Sequence, residues 1–211
     1  GLPNPKRPSS LHTIKAGKKV AKKDKTKKDA VDHSEGVVIF CIDTSGSMET
    51  QDDIPEFQRQ WKIAQGEAVQ NITRMEAIKA AVVTHLRRLS VSGPNKKVAI
   101  ITFSSNVTVH WDSSGSTMTE RIIQQPTMEQ ALEAAEQCVY WKRVQPISQS
   151  IERMVRIVHK IRAVGGTALG PALIAGIQAA GESGLESEII LCSDGQPNSG
   201  IGSGRTLTSE T

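Results

Sequence analysis

Aromatic side chains are scarce. Phe, Tyr and Trp make up 3% of the 211 residues, so aliphatic side chains have to fill any core. Long apolar runs are missing too: none approaches the ~18–20 residues of a membrane span, so no such segment is expected. No apolar leader opens the chain, and nothing argues for secretion. Cysteine is sparse and odd in number, with Cys41, Cys138 and Cys192 forming neither an even disulfide framework nor zinc-site spacing. Cys41 and Cys192 each precede an aspartate by two residues, so on neighbouring strands they would lie side by side as buried, reduced thiols. The compartment expected is therefore reducing and intracellular, cytoplasmic before nuclear. Catalytic signatures are missing as well. Gly-Lys-Ser/Thr of a phosphate loop is absent. Thr44-Ser45-Gly46-Ser47-Met48 is no Gly-x-Ser-x-Gly elbow, and Ser45 stands where an aspartyl-phosphate phosphatase would carry a second acid. This segment is not expected to be an enzyme.

Charge is present but unevenly placed. The net charge is +4, yet residues 1–30 hold 10 Lys+Arg and 2 Asp for +8, which leaves −4 for residues 31–211. Residues 1–34, with three prolines by position 8 and then a lysine run, read as a basic tail or linker without regular structure. Lysines in that density also admit a nucleic-acid or nuclear-targeting reading. No aromatic residue interleaves with them to stack on bases.

Chemistry concentrates where Val37-Val38-Ile39-Phe40-Cys41-Ile42 runs into Asp43-Thr44-Ser45-Gly46-Ser47-Met48. An unbroken apolar run is how a strand buried on both faces of a parallel sheet reads. Oxygen-bearing side chains at Asp43, Ser45 and Ser47 then fall at the strand's carboxyl end, where open α/β sheets collect ligands. Hydroxyls beside one carboxylate suit a hard divalent cation that keeps several waters, Mg²⁺ rather than Zn²⁺, with Mn²⁺ or Ca²⁺ as alternatives. Two further stretches can complete the site: Gly165-Gly166-Thr167-Ala168-Leu169-Gly170, and the strand Ile189-Ile190-Leu191-Cys192-Ser193 ending on Asp194-Gly195.

Asp-x-Ser-x-Ser after a buried strand, a later Gly-Gly-Thr, and a strand ending Ser-Asp-Gly together resemble the von Willebrand factor A (vWA) family. The resemblance implies a metal-ion-dependent adhesion site, with Ser45 and Ser47 binding Mg²⁺ directly and Thr167 directly or through water. Asp43 and Asp194 would hold coordinating waters, and the open position would take an Asp or Glu carboxylate from a partner protein. It also implies a doubly wound, mostly parallel α/β sheet, Rossmann-like, with helices on both faces. The resemblance covers residues 36 to about 200. It predicts about two more strands after Asp194, so the chain reads as a C-terminally incomplete fragment with an open sheet edge, or else as one whose sheet a partner chain completes.

Around these motifs the chain reads in order. Residues 35–204 would be the partial domain and 205–211 a tail. Residues 49–73 are long for their place, an insert near the site, where Asp52, Asp53 and Glu56 are surface carboxylates or a second cation site. Asn71-Ile72-Thr73 matches a glycosylation sequon. An amphipathic helix spans Met75 to Leu89, and Ser92-Gly93-Pro94-Asn95 stops it. Residues 97–103 are a buried strand and 107–111 an edge strand in a hairpin. Residues 112–126 read as a Ser-rich loop. Thr127 and Gln130 form a capping box for a helix running to about Val139. Another helix covers roughly 147–163. A last one follows Thr167, with Pro171 in its first turn. The function expected is a Mg²⁺-dependent interaction module. Its alternatives are nucleic-acid contact through the lysine tail, or an interaction domain within a larger enzyme or complex.

Overall fold

A computed structural model describes residues 10–16, 35–52, 72–112, 118–123, 128–136, 138–195 and 197–198. Eight strands occur among them: β1 (Ser10–Ala16), β2 (Val37–Asp43), β3 (Gln51–Asp52), β4 (Ile72–Thr73), β5 (Lys97–Phe103), β6 (Val107–Asp112), β7 (Met118–Ile123) and β8 (Ser187–Ser193). Four α-helices accompany them: α1 (Arg74–Ser92), α2 (Met128–Ala135), α3 (Ile147–Lys160) and α4 (Leu169–Ser183). Six strands form one sheet in the order β1-β8-β2-β5-β6-β7. Its centre, β8-β2-β5, is parallel, and both flanks pair antiparallel. Four of the six strands (β2, β5, β7 and β8) therefore run the same way. This is the expected α/β arrangement.

Every residue of β2 is buried, as an apolar run between two helical layers requires. Alternation then sorts its side chains. Val37, Ile39 and Cys41 join Ala99, Ile101, Phe103 and Ile189 in the core under α4, with Ala172, Ala175 and Ala179 facing them. Val38, Phe40 and Ile42 join Ile100, Ile190 and Cys192 under α1 and α3, against Met75, Val82, Leu86, Met154 and Val158. Helices on both faces make the sheet doubly wound. The small residues of α4 let it come close: a Cβ at Gly176 would sit 3.2 Å from the Cys41 sulfur.

Helix α1 starts at a capping box in which Thr73 Oγ1 accepts from Glu76 N–H while Glu76 Oε2 accepts from Thr73 N–H. Helix α2 stops at Ala135, earlier than Val139. The chain instead turns so that Cys138, Val139, Trp141 and Val144 enter the core, and Trp141 Nε1–H donates to Ala179 O at 2.7 Å.

Four expectations are corrected. Ser10–Ala16 lies within the tail expected to be unstructured, yet it forms β1, antiparallel to β8 in register from Ser10↔Ser193 to Ala16↔Ser187. An uncovered β8 would present a row of unpaired backbone groups, and β1 satisfies them. The edge expected to stand open beside β8 is therefore occupied by the chain itself. Within the stretch expected to be a loop, Met118–Ile123 forms β7. It pairs with β6 from Asp112↔Met118 to Val107↔Ile123, so β6 is an inner strand and β7 the edge. The proposed insert is pinched at its base, where β3 pairs antiparallel with β4 through Gln51↔Thr73 and Asp52↔Ile72. The lysine run from Lys18 to Lys28, Asp53, Glu56, Asn71, Thr127 and residues 205–211 lie outside the described residues.

Candidate functional site

Asp43 closes β2 and is fully buried. Its Oδ1 accepts from Ser45 N–H at 2.8 Å and its Oδ2 from the Ser193 hydroxyl at 2.6 Å. Beyond it, Thr44 donates from both N–H and Oγ1 to Phe103 O, at 2.7 and 3.0 Å, which pins the turn to the end of β5. A 3₁₀ turn over Gly46–Glu49 follows, anchored by buried Met48. This tight winding sets the Ser45 and Ser47 hydroxyl oxygens 3.0 Å apart.

The glycine-rich stretch is stitched to that turn by backbone bonds: Val164 N–H donates to Thr44 O at 2.7 Å and Gly46 N–H to Gly165 O at 3.0 Å. Gly165 has φ +79°, and a Cβ there would meet Ser105 Oγ at 2.8 Å. Only glycine fits without strain. The same Ser105 oxygen accepts from Gly166 N–H at 3.0 Å, and Ala168 N–H donates to Ser104 O at 2.6 Å. Thr167 exchanges backbone bonds with Asn198, whose Oδ1 accepts from Thr167 N–H at 2.7 Å and whose N–H donates to Thr167 O at 3.2 Å. Thr167 is 3% exposed, and its hydroxyl has no hydrogen-bond partner among the described residues.

Asp194 brings in the third motif. Its Oδ1 accepts from Ser47 Oγ at 3.0 Å, across 147 positions of sequence. Since Ser47 has one hydroxyl hydrogen and gives it to Asp194, Ser45 is the donor in the Ser45–Ser47 bond. The chain of donation runs Ser45 to Ser47 to Asp194, and the Ser45 oxygen lone pairs are left unengaged by it. The other oxygen, Oδ2, is paired with the Arg74 guanidinium; the Asp194 side chain is 2% exposed and that of Arg74 19%.

The five expected residues thus fall into one constellation: Ser45, Ser47 and Asp194 are bonded in series, Asp43 holds the turn that carries them, and Thr167 lies on a loop bonded to it. Asp52 is a β3 residue outside it. Among the described residues no group of three or more His, Cys, Asp or Glu side chains is placed to hold a metal. Any cation here would depend on hydroxyls. A set of hydroxyl and carboxylate oxygens, one of them a buried hydroxyl lacking a partner among the described residues, fits a hard cation such as Mg²⁺ and not a soft one.

The expected cysteine pair is a correction. Strands β2 and β8 are neighbours, but Cys192 registers with Ile42 while Cys41 registers with Leu191. That slip of one residue sends the two thiols to opposite faces. It also sets Ser193 beside Asp43, and frees Asp194 to reach Ser47. Sequence reasoning missed Arg74, Ser105, Ser193 and Asn198. Ser193 stood inside the quoted Ser-Asp-Gly motif; nothing local marked Arg74, which is 120 positions from its partner.

Residues 38–139 match the family model of the von Willebrand factor type A domain. Over 183 residues, 82% of this chain, the sequence is 32% identical to Circularly permutated Ras protein 1 of Dictyostelium discoideum. The chain spans about a fifth of that relative's length, 21%. Among solved structures, the PilB minor pilin from Streptococcus sanguinis is 18% identical over 76% of this chain and 31% of that one, with a TM-score of 0.39. A point mutant of the same pilin gives 18% identity over 68% and 25%, with a TM-score of 0.38.

Proposed function

We propose, from the von Willebrand factor type A domain at residues 38–139, that this chain is a protein-interaction module whose binding point is a divalent-cation site at the carboxyl ends of β2 and β8. The observation that carries this reading is the series Ser45–Ser47–Asp194, which joins two motifs 147 residues apart at 3.0 Å per bond. Ser45, Ser47 and Thr167 would hold the cation, and Asp43 and Asp194 would fix its waters. Mg²⁺ bound there would supply an open coordination position for an Asp or Glu carboxylate of a partner. The partner-facing rim also carries Val164, which is 66% exposed beside the Gly165 turn.

The test is a calorimetric titration of Mg²⁺ into the wild type, Ser45→Ala and Asp194→Ala, with folding checked by circular dichroism. Saturable binding in the wild type, weakened in both variants, is expected. A folded wild type that takes up no Mg²⁺, or variants that bind as tightly as the wild type, would sink the metal site.

A further inference from the structure

Arg74 opens α1, directly after the Thr73 cap. A cation in the first helical turn opposes the positive end of the helix dipole, so this residue is poorly placed for helix stability alone. Its backbone N–H donates to Thr50 O at 3.0 Å, which ties the helix start to the base of the 49–73 segment. Its guanidinium reaches Asp194 Oδ2, on the acid whose other oxygen accepts from Ser47. The Asp194 side chain is 2% exposed, and a buried acid without an opposing charge is costly.

We infer that Arg74 is a built-in counter-cation of the site, which neutralises Asp194 in the metal-free chain and thereby sets how tightly a divalent cation binds. The inference rests on the metal-binding reading above. A divalent cation held by Ser45 and Ser47 and the Arg74 guanidinium would oppose the same acid and repel one another. Loading the site would therefore weaken the Arg74–Asp194 pair. Arg74 is the partly exposed member, so it is the one able to swing into solvent. Two states follow: one closed on Arg74, the other open for the cation and the partner carboxylate.

The test uses the full chain with Arg74→Gln, which removes the charge, and Arg74→Lys, which keeps it. Arg74→Gln should bind Mg²⁺ tighter by roughly tenfold, the scale of one unit charge in a partly screened site, while Arg74→Lys stays near the wild type. In EDTA the Gln variant should melt below the wild type, and saturating Mg²⁺ should close that gap. In the wild type itself, the Arg74 side-chain N–H resonance should shift over the Mg²⁺ range in which calorimetry saturates. A wild type that binds Mg²⁺ while the Gln variant binds equally or more weakly overturns the counter-cation role and leaves the metal site standing. Saturation with an unmoved Arg74 resonance does the same, even if the Gln variant fails to fold. No Mg²⁺ binding by any of the folded proteins overturns both.

Discussion

Ser193 donates its hydroxyl to Asp43 Oδ2 at 2.6 Å, joining the last residue of β8 to the last residue of β2. The register makes this contact: Ile42 is level with Cys192, so the next step along each strand brings Asp43 and Ser193 onto the same face. With Ser45 N–H on Oδ1, both oxygens of the buried acid are engaged, and the turn bearing Ser45 and Ser47 is fixed from below.

Ser193→Ala removes one of those donors and leaves a buried oxygen unsatisfied, at a cost of about 1–3 kcal/mol. The urea midpoint in EDTA should fall accordingly, and Mg²⁺ affinity should drop because the Ser45–Ser47 turn loosens. An unchanged midpoint would mean that Asp43 does not depend on this bond.

Gly165→Ala should cost about 1–2 kcal/mol, since φ +79° is a left-handed conformation in which Cβ is strained. Its new methyl would also press on Ser105 Oγ, the acceptor for Gly166 N–H. Gly181→Ala is the contrast. That glycine lies inside α4, has no positive φ and has open space around it, so alanine should stabilise by about 0.5–1 kcal/mol. Thermal midpoints moving in opposite directions would bear out both placements; a Gly165→Ala protein as stable as the wild type would not.

The same contrast explains what could be read from the chain alone. Strands β2, β5 and β8 were legible because burial on both faces demands unbroken apolar runs, and α1, α3 and α4 because their apolar stripes repeat at helical spacing. The motif residues were legible because Asp43, Ser45 and Ser47 follow a strand end directly. Strands β1 and β7 were not. Ser10–Ala16 stands beside a lysine run, and Met118–Ile123 carries Glu120 and Arg121, so neither has the apolar content of an inner strand. Their pairing is decided by the exposed edges of β8 and β6, which local sequence does not encode. Arg74 was hidden for a similar reason, because its partner is set by how α1 docks over the end of β8.

The thiols predict a pH dependence. Burial pushes Cys192 from 9.0 up to about 12, and burial, with Cys192 and Cys138 nearby, pushes Cys41 up as well. A thiol whose folded value is raised contributes its full stability below the unfolded value of 9.0. That contribution is lost as pH rises from there toward about 12, because the unfolded chain ionises first. Each such thiol should cost about 1.4 kcal/mol per pH unit in that window. Urea unfolding at pH 8 and pH 10 measures this, and Cys192→Ala should show the smaller loss between them. Equal losses in the two proteins would mean that Cys192 is not shielded as described.

Strand β1 makes the strongest claim about the fold, because it assigns a structural role to a segment with the composition of a tail. Thr13 is level with Ile190 in the middle of the β1–β8 ladder. Alternate amides of an edge strand face solvent, where proline is tolerated, so Thr13 and Ile14 are replaced together and one of the two lost amides is directed at β8. The double variant Thr13→Pro/Ile14→Pro should therefore release β1 and uncover the outer edge of β8. Alternate amides along a strand point to opposite sides, so the expected signature is selective. Every second amide of β8 should lose hydrogen-exchange protection, while those directed at β2 keep theirs. An open edge is also a template for pairing with another copy, so sedimentation should reveal concentration-dependent self-association absent from the wild type. If β8 protection and the sedimenting mass are both unchanged, residues 10–16 do not cover that edge in solution.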